Sequence, residues 1–542
     1  MRSCITNIYI IILKTGLAFL FTCFSVFTLQ AQSGNKAVEQ WRRYEIVLEG
    51  PSSGNPFADV SLSARFSSGN KTIQVQGFYD GAGKYKIRFM PANTGMWSYV
   101  TSSNNRQLNN RQGRFECTAA SQDNHGPVQV WNTHDFRYAD GKAFYPFGTT
   151  LYAWTHQQQA LQEQTLQTLQ NAPFNKVRMC VFPKYYNYVE DEPPFYPYQK
   201  IAATNRTDKK APPSWNFSQF EPAFFQHLEQ RIDDLDKLGI EADIIVFHPY
   251  DKGHWGFDSM GKENDLFYIR YLVARLSSFK NVWWSMANEF DFVKSKPRAV
   301  WDDYAKAVTE NDPYRHLCSI HNGSVYYDYW KPWFTHVSIQ NGAAVEDFGR
   351  ANLLRDVYFK PVVYDEVCYE GNLTERWGRL SGEEMTEAFW QGIIAGTYVT
   401  HGETFRKGTD PVFWARGGKL VGESPARIHF LRKLLEQGPG PLRLADEWKD
   451  GQTAYHDSSY YLIYFGKKMQ QEWLFNLPKK GAPATGTRFK AEIIDTWNMT
   501  ITPVDSVFEL AAPVDYRVMD RSLKKIRLPY KPYLAIRLRK VE

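Results

Sequence analysis

The sequence predicts an α/β fold: a (β/α)8 TIM barrel flanked by an N-terminal β-sandwich and a smaller C-terminal β domain. Three observations predict it. Between residues 131 and 437, short apolar runs alternate with helical periodicity, and eight such runs favour a closed barrel over an open sheet. Before that stretch, apolar residues recur at alternate positions between turn clusters. After Gly438-Pro-Gly-Pro the same alternation returns. A chain of 542 residues accommodates about three domains of ~150 residues each.

The first 31 residues read as a signal peptide. Arg2 and Lys14 supply positive charge, Gly16 to Leu29 is apolar, and Ala31 can precede a cleavage site. The uninterrupted segment is shorter than the ~20 residues a membrane span needs, so no stable span is expected after removal. Phe21 and Thr22 before Cys23 do not suit a lipoprotein signal. The expected location is periplasmic or extracellular.

Residues 36–130 carry the predicted sandwich. Tyr44, Ile46 and Leu48 alternate, as do Leu62, Ala64 and Phe66, and Tyr85, Ile87 and Phe89. Asp140-Gly141 between two aromatic runs signals a hairpin leading into the barrel. The eight barrel-strand candidates are Gly148 to Trp154, Asn175 to Val181, Ile240 to Phe247, the run from Asn281, Leu317 to Ile320, Thr335 to Ile339, Pro361 to Tyr364, and Gly396 to Val399. Between them, Phe225, Leu228, Ile232, Leu235 and Leu238 share one helix face, which Gly239 can terminate. Residues 191–215 have no periodicity and read as a long loop after the second strand. Residues 438–542 form the C-terminal domain, with strands expected at Tyr460 to Phe465, Phe489 to Ile494 and Tyr533 to Leu538.

Composition narrows the function. A net charge of +6 and the lack of a basic stripe with interleaved aromatics give no argument for nucleic acid. The 17 Trp, 32 Tyr and 36 Phe fill large cores or supply flat faces for sugar rings. Cys117, Cys180, Cys318 and Cys368 follow the signal segment without a CxxC or metal-ligand spacing, and buried free thiols are expected. No HExxH or carboxylate-rich calcium loop is present, so no metal or cofactor is expected.

Chemistry concentrates at two strand ends. Asn281 to Phe290 is an apolar run ending on Asn288 and Glu289, and Lys360 to Cys368 presents Glu366 in the same way. Catalytic groups of a β/α barrel sit at strand mouths. Two carboxylates there are the minimum equipment for retaining glycoside hydrolysis.

With Phe147-Gly-Thr-Thr, Arg178, His248-Pro, the Trp283 to Glu289 run and the Lys360 to Glu366 run in this order, the barrel resembles clan A of the glycoside hydrolases, in particular the apiosidase-like barrels. The resemblance implies that Glu289 is the general acid/base and Glu366 the nucleophile. It implies that Asn288 bonds the sugar 2-hydroxyl and that Arg178 keeps Glu366 ionised. Adjacent strand residues face opposite sides, so only one of Asp365 and Glu366 is expected at the mouth. The clan pattern selects Glu366 and leaves Glu370 on the following loop.

Further candidates for sugar contact are His248, His321, Trp255, Trp377, Trp414 and, after the eighth strand, His401 and Glu403. The expected activity is retaining hydrolysis of a plant or algal type poly- or oligosaccharide. Three alternatives stay open: a carbohydrate-binding protein on an inactive barrel, an inverting glycosidase, and a metal-dependent hydrolase using His248, His254, His321 and His401.

Overall fold

The structure, a computed structural model, describes residues 37–201, 214–341, 348–445 and 452–541. The signal segment at residues 1–31 and part of the 191–215 loop lie outside the described residues.

Eight parallel strands form a nearly closed barrel: Phe147–Thr150, Lys176–Cys180, Glu241–Phe247, Val282–Ala287, Cys318–Ser319, Val337–Gln340, Val362–Glu366 and Tyr398–His401. All eight sequence runs become barrel strands. They read as continuous apolar runs because both faces are buried, one inside the barrel and one under helices. Backbone pairing between the fifth and sixth strands is slight. They meet at a bridge between His321 and Ser338 and at a bond from the Thr335 N–H to Cys318 O of 2.8 Å. The helix Pro222–Lys237 buries Phe225, Leu228, Ile232 and Leu235, and the chain leaves it through Gly239 at φ +70°. The Asp140-Gly141 turn joins Asp135–Tyr138 to Ala143–Phe144. Phe136 and Phe144 of this hairpin pack on Trp283 and cover the N-terminal end of the barrel.

The loop expectation for 191–215 needs correction. Tyr198–Lys200 pairs with Trp215–Phe220 as an irregular antiparallel hairpin. The buried rings of Tyr198 and Phe220 anchor it on the barrel wall. Its two arms lie far apart in sequence, so no local alternation announces it.

Seven strands between Ala37 and Thr118 form one N-terminal sheet. The strand Lys71–Tyr79 pairs with Leu62–Ser68 through its first part and with Lys84–Phe89 through Gly77–Tyr79. At Gly77 a Cβ would lie 2.8 Å from Leu62 and 2.9 Å from Ile87, so only glycine lets the two arms close on each other. The bend stacks Phe66 on Phe89 at 4.1 Å and Tyr44 on Phe115 at 3.9 Å.

This domain meets the barrel through buried charge. Arg88 donates to Glu229 at 2.9 Å, and Arg275 reaches Glu229 at 2.6 Å and Asp80 at 2.8 Å. Burial works against the Glu229 carboxylate, but Arg275 and Arg88 outweigh it and hold its pKa down at about 2. The folded value lies below the ordinary ~4.3, so the stabilisation is fully present above pH ~4.3 and is lost as pH falls towards 2. Its size is about 3 kcal/mol. Glu229→Gln is therefore expected to lower unfolding free energy by ~3–5 kcal/mol at pH 7. Denaturant titrations from pH 7 down to 2 should show the variant and wild type converging in stability towards the acid end.

The C-terminal domain is built on a six-stranded antiparallel sheet that includes Tyr460–Tyr464, Arg488–Asp495 and Leu534–Lys540. It packs on the barrel helix Gly382–Ile394, where Trp390 stacks on Tyr464 at 5.4 Å and Lys467 pairs with Glu387 at 3.2 Å. No described helix is long and apolar enough to cross a membrane. Cys117, Cys180 and Cys318 are buried free thiols, and Cys368 is half-buried.

Candidate active site

A cavity of about 610 Å³ lies at the C-terminal mouth of the barrel, and both Glu289 and Glu366 line it. The fourth strand delivers Asn288 and Glu289. The Asn288 N–H still pairs with Phe247 O at 2.9 Å, but Glu289 turns into left-handed backbone at φ +50° and ψ 57°. For a residue with a Cβ this costs ~1–3 kcal/mol. The turn takes Glu289 out of the strand's alternation and aims its carboxyl into the cavity. Gln340 Nε2 donates to Oε1 at 2.8 Å, and the Tyr250 hydroxyl and Asn288 Nδ2 donate to Oε2. Burial, then the charge of Glu366, push the Glu289 pKa up to about 8, against the opposing pull of Gln340 and Lys184.

The seventh strand corrects one expectation. Ile339 pairs with Tyr364 and Gln340 with Glu366, so the register skips Asp365. This β-bulge breaks alternation, and Asp365 and Glu366 both point inward. Asp365 goes to the barrel interior, bonded to Lys176 at 2.6 Å, Ser338 at 2.5 Å and Thr400 at 2.8 Å. Glu366 goes to the cavity. There it accepts from the Tyr152 hydroxyl, which also touches Asn288 Oδ1 at 3.1 Å. Burial raises the Glu366 pKa, while Arg178, the Tyr152 bond and Lys184 act in the opposite direction. The two glutamates interact, so they titrate as a pair.

Under the pair lies an ionic floor. Lys176 contacts Asp243 at 2.8 Å and Asp365 at 2.6 Å, while Arg178 lies 3.5 Å and 3.9 Å from the same carboxylates. Arg178 also reaches Asn288 Oδ1 at 3.3 Å. Its nearest charges are thus the two aspartates, and it meets the cavity through Asn288.

Of the tryptophan candidates, Trp377 and Trp414 line the cavity. Their rings lie 5.4 Å apart, and Tyr188 and Tyr369 pack on both to make an aromatic wall. Trp255 does not line it. It is buried beneath the loops after the second and third strands, against Tyr196 and His254.

Three polar candidates also sit elsewhere. His248 bonds Phe182 O through Nε2 at 3.0 Å and accepts the Tyr250 N–H at 3.1 Å. Burial drives its pKa down to about 3, so it braces the Tyr250 loop as a neutral ring. His321 lies behind Glu366, with Nε2 3.6 Å from Oε1, too long for a hydrogen bond. The Ser338 hydroxyl donates to Asp365, so it can only accept from His321 Nδ1, which leaves Nε2 as a lone pair. Glu403 accepts the N–H groups of Val421 and Gly422, and Glu370 those of Glu423 and Ser424. Together they pin the segment that starts the helix Ser424–Glu436.

The metal-dependent reading needs four histidines in one place, and the structure separates them. His254 stacks on Tyr185 at 3.7 Å, and His401 stacks on Phe174 at 4.7 Å and bonds Thr149. Among the described residues, Glu370, His401 and Glu403 do group within 4.8 Å. Both carboxylates there are already held by backbone N–H groups.

Sequence reasoning missed Tyr152, Lys184, Tyr250 and Gln340. Tyr152, Lys184 and Tyr250 stand two to four residues beyond a strand end, and Gln340 ends the sixth strand. A search of every barrel-strand mouth for polar side chains would have found them.

Comparison with known proteins agrees with this architecture. A domain of unknown function (DUF5060) matches residues 37–104, and another (DUF5605) matches residues 448–539. No curated protein sequence matches this chain. A solved structure from Bacteroides vulgatus ATCC 8482, described provisionally as a glycoside hydrolase, is 51% identical. It superposes with a TM-score of 0.90 over 93% of this chain and 100% of its own. A family 5 glycoside hydrolase from the same organism shares the fold at 14% identity, with a TM-score of 0.57 over 77% of this chain and 94% of its own. The apiosidase-like catalytic domain family matches residues 131–417, the stretch that forms the barrel and carries Glu289 and Glu366, and the chain belongs to that family.

Proposed function

We propose that the protein is a retaining glycoside hydrolase that acts on a plant or algal type poly- or oligosaccharide through a covalent glycosyl-enzyme. The observation that carries this is the unequal environment of two carboxyl groups in one cavity. Glu289 is held protonated up to about pH 8, while Glu366 faces donors and cations. Burial raises both carboxyls, but the charge of Glu366 adds to the rise at Glu289, whereas Arg178, the Tyr152 bond and Lys184 oppose it at Glu366. This difference suits an acid and a nucleophile.

In the first step a Glu366 oxygen attacks the anomeric carbon while Glu289 gives its proton to the departing glycosidic oxygen. The leaving sugar departs as an alcohol, and an ester to Glu366 remains. In the second step Glu289, now a carboxylate, takes a proton from water, and the hydroxide attacks the same carbon. Glu366 is released ionised and Glu289 is reprotonated. Asn288 has one N–H on Glu289 and its carbonyl on Arg178 and Tyr152, which leaves the second N–H for a sugar hydroxyl. Trp377 and Trp414 offer ring faces to the apolar face of a pyranose or furanose. Export by the segment at residues 1–31 would bring the enzyme to such polymers.

The test is a panel of plant and algal glycans with purified protein, followed by NMR of the first-formed anomer. Release of sugar with retained configuration is the expected result. Inversion would overturn the double displacement. Glycan binding without cleavage across the panel would overturn the enzyme reading.

A further inference from the structure

We propose that Lys184 is the counter-ion of the Glu289–Glu366 pair and fixes the single-proton state in which the pair can work. This deepens the function proposed above and rests on it.

The second strand ends at Cys180, and four residues later Lys184 turns back into the cavity. Its residue is only 1% exposed. The ammonium nitrogen lies 3.5 Å from the centre of the Tyr152 ring, 4.5 Å from Tyr250 and 5.3 Å from Tyr186. Among the described residues it has no hydrogen bond and no carboxylate within ion-pair distance. A buried ammonium is costly unless opposite charge lies close. Ring faces offset part of that cost. The two nearest rings show where the rest comes from. The Tyr152 hydroxyl bonds Glu366 and the Tyr250 hydroxyl bonds Glu289. Lys184 therefore sits beneath both phenols that hold the carboxyl pair, and it polarises both donors.

Charge balance points the same way. In the floor, Lys176 and Arg178 are matched by Asp243 and Asp365. What remains is Lys184 against two glutamates sharing one proton, a net charge of zero. Without Lys184 the same state would bury an uncompensated negative charge.

Five other groups near Lys184 do not titrate between pH 4 and 9. On its own strand, Arg178 stays charged and burial raises the Cys180 thiol to about 11. On the third-strand loop, His248 stays neutral, since its value is down at about 3. Burial holds the phenols of Tyr152 and Tyr186 protonated. That leaves Glu289, Glu366 and Lys184 itself, whose ammonium burial pushes down while Cys180, Glu289 and Glu366 pull it back up.

The experiment is the pH profile of kcat/KM for wild type, Lys184→Met and Lys184→Arg, on a neutral glycoside and on its uronic acid counterpart. Loss of a nearby cation raises carboxyl pKa values by about one to two units. Both limbs of the Lys184→Met profile should move up in pH by that amount, with at least a tenfold loss at the wild-type optimum. Lys184→Arg should keep both limbs in place. A uniform loss with unmoved limbs would overturn the proposal and leave a packing role. Loss confined to the uronic acid substrate would also overturn it and make Lys184 a substrate-carboxylate ligand. Isotope-edited infrared titration of the glutamate carboxyls, assigned with Glu289→Gln and Glu366→Gln, reads the same shift without substrate. It separates this inference from the proposed activity, and Lys184→Gln serves where the Met variant does not fold.

Discussion

Glu366→Ala is expected to lower kcat by on the order of 10^5-fold, with the fold intact. This is the largest single effect the site offers, equivalent to ~7 kcal/mol of transition-state stabilisation. The side chain carries the bond-making step and is held by Tyr152 at the cavity floor. Its removal also leaves a gap on the face from which the anomeric carbon is attacked. Added azide should fill that gap and restore partial turnover. The product would be a glycosyl azide of inverted configuration, because one displacement replaces two. Azide rescue with retained configuration would assign the nucleophile to another residue.

Glu289→Ala is expected to act on both halves of the reaction, with a loss of ~10^2–10^4-fold on substrates whose leaving group needs a proton. Aryl glycosides with acidic phenols should lose far less in the first step and accumulate the glycosyl-enzyme. Azide should then accelerate turnover with retained configuration, the reverse of the Glu366 result. The pH profile follows from the same group. Glu289 must hold a proton to act as acid, and its value is about 8, so wild-type kcat/KM should fall as pH rises through that value. In Glu289→Gln that basic limb should vanish. A limb that persists in the variant would trace to another group.

The barrel was legible because its strands are buried on both faces and appear as unbroken apolar runs. The run from Asn281 starts one residue before the observed Val282–Ala287 strand. Positions set by long-range pairing were not legible. Tyr198–Lys200 finds its partner beyond a long intervening segment, and the bulge at Asp365 depends on how the sixth strand meets the seventh. The clan pattern therefore selected Glu366, which lines the cavity, while strict alternation wrongly sent Asp365 to the opposite side. Aromatic residues on loops were ambiguous for a simpler reason. Trp255 and Trp414 look alike in sequence, and only packing decides that one fills a space beneath loops while the other walls a cavity. Lys184 follows an ordinary Val-Phe-Pro stretch, and nothing local says that its loop folds back over Tyr152.

The seams between the three parts restrict how such a protein can be reassembled by recombination. A barrel moved without its N-terminal partner would leave Arg275 without Asp80 and Glu229 without Arg88, with charge stranded on a newly wetted face. A barrel moved without its C-terminal partner would uncover Trp390 and take Lys467 from the cavity rim. Exchange among relatives should therefore favour whole-chain swaps or loop grafts at the mouth over shuffling of domains.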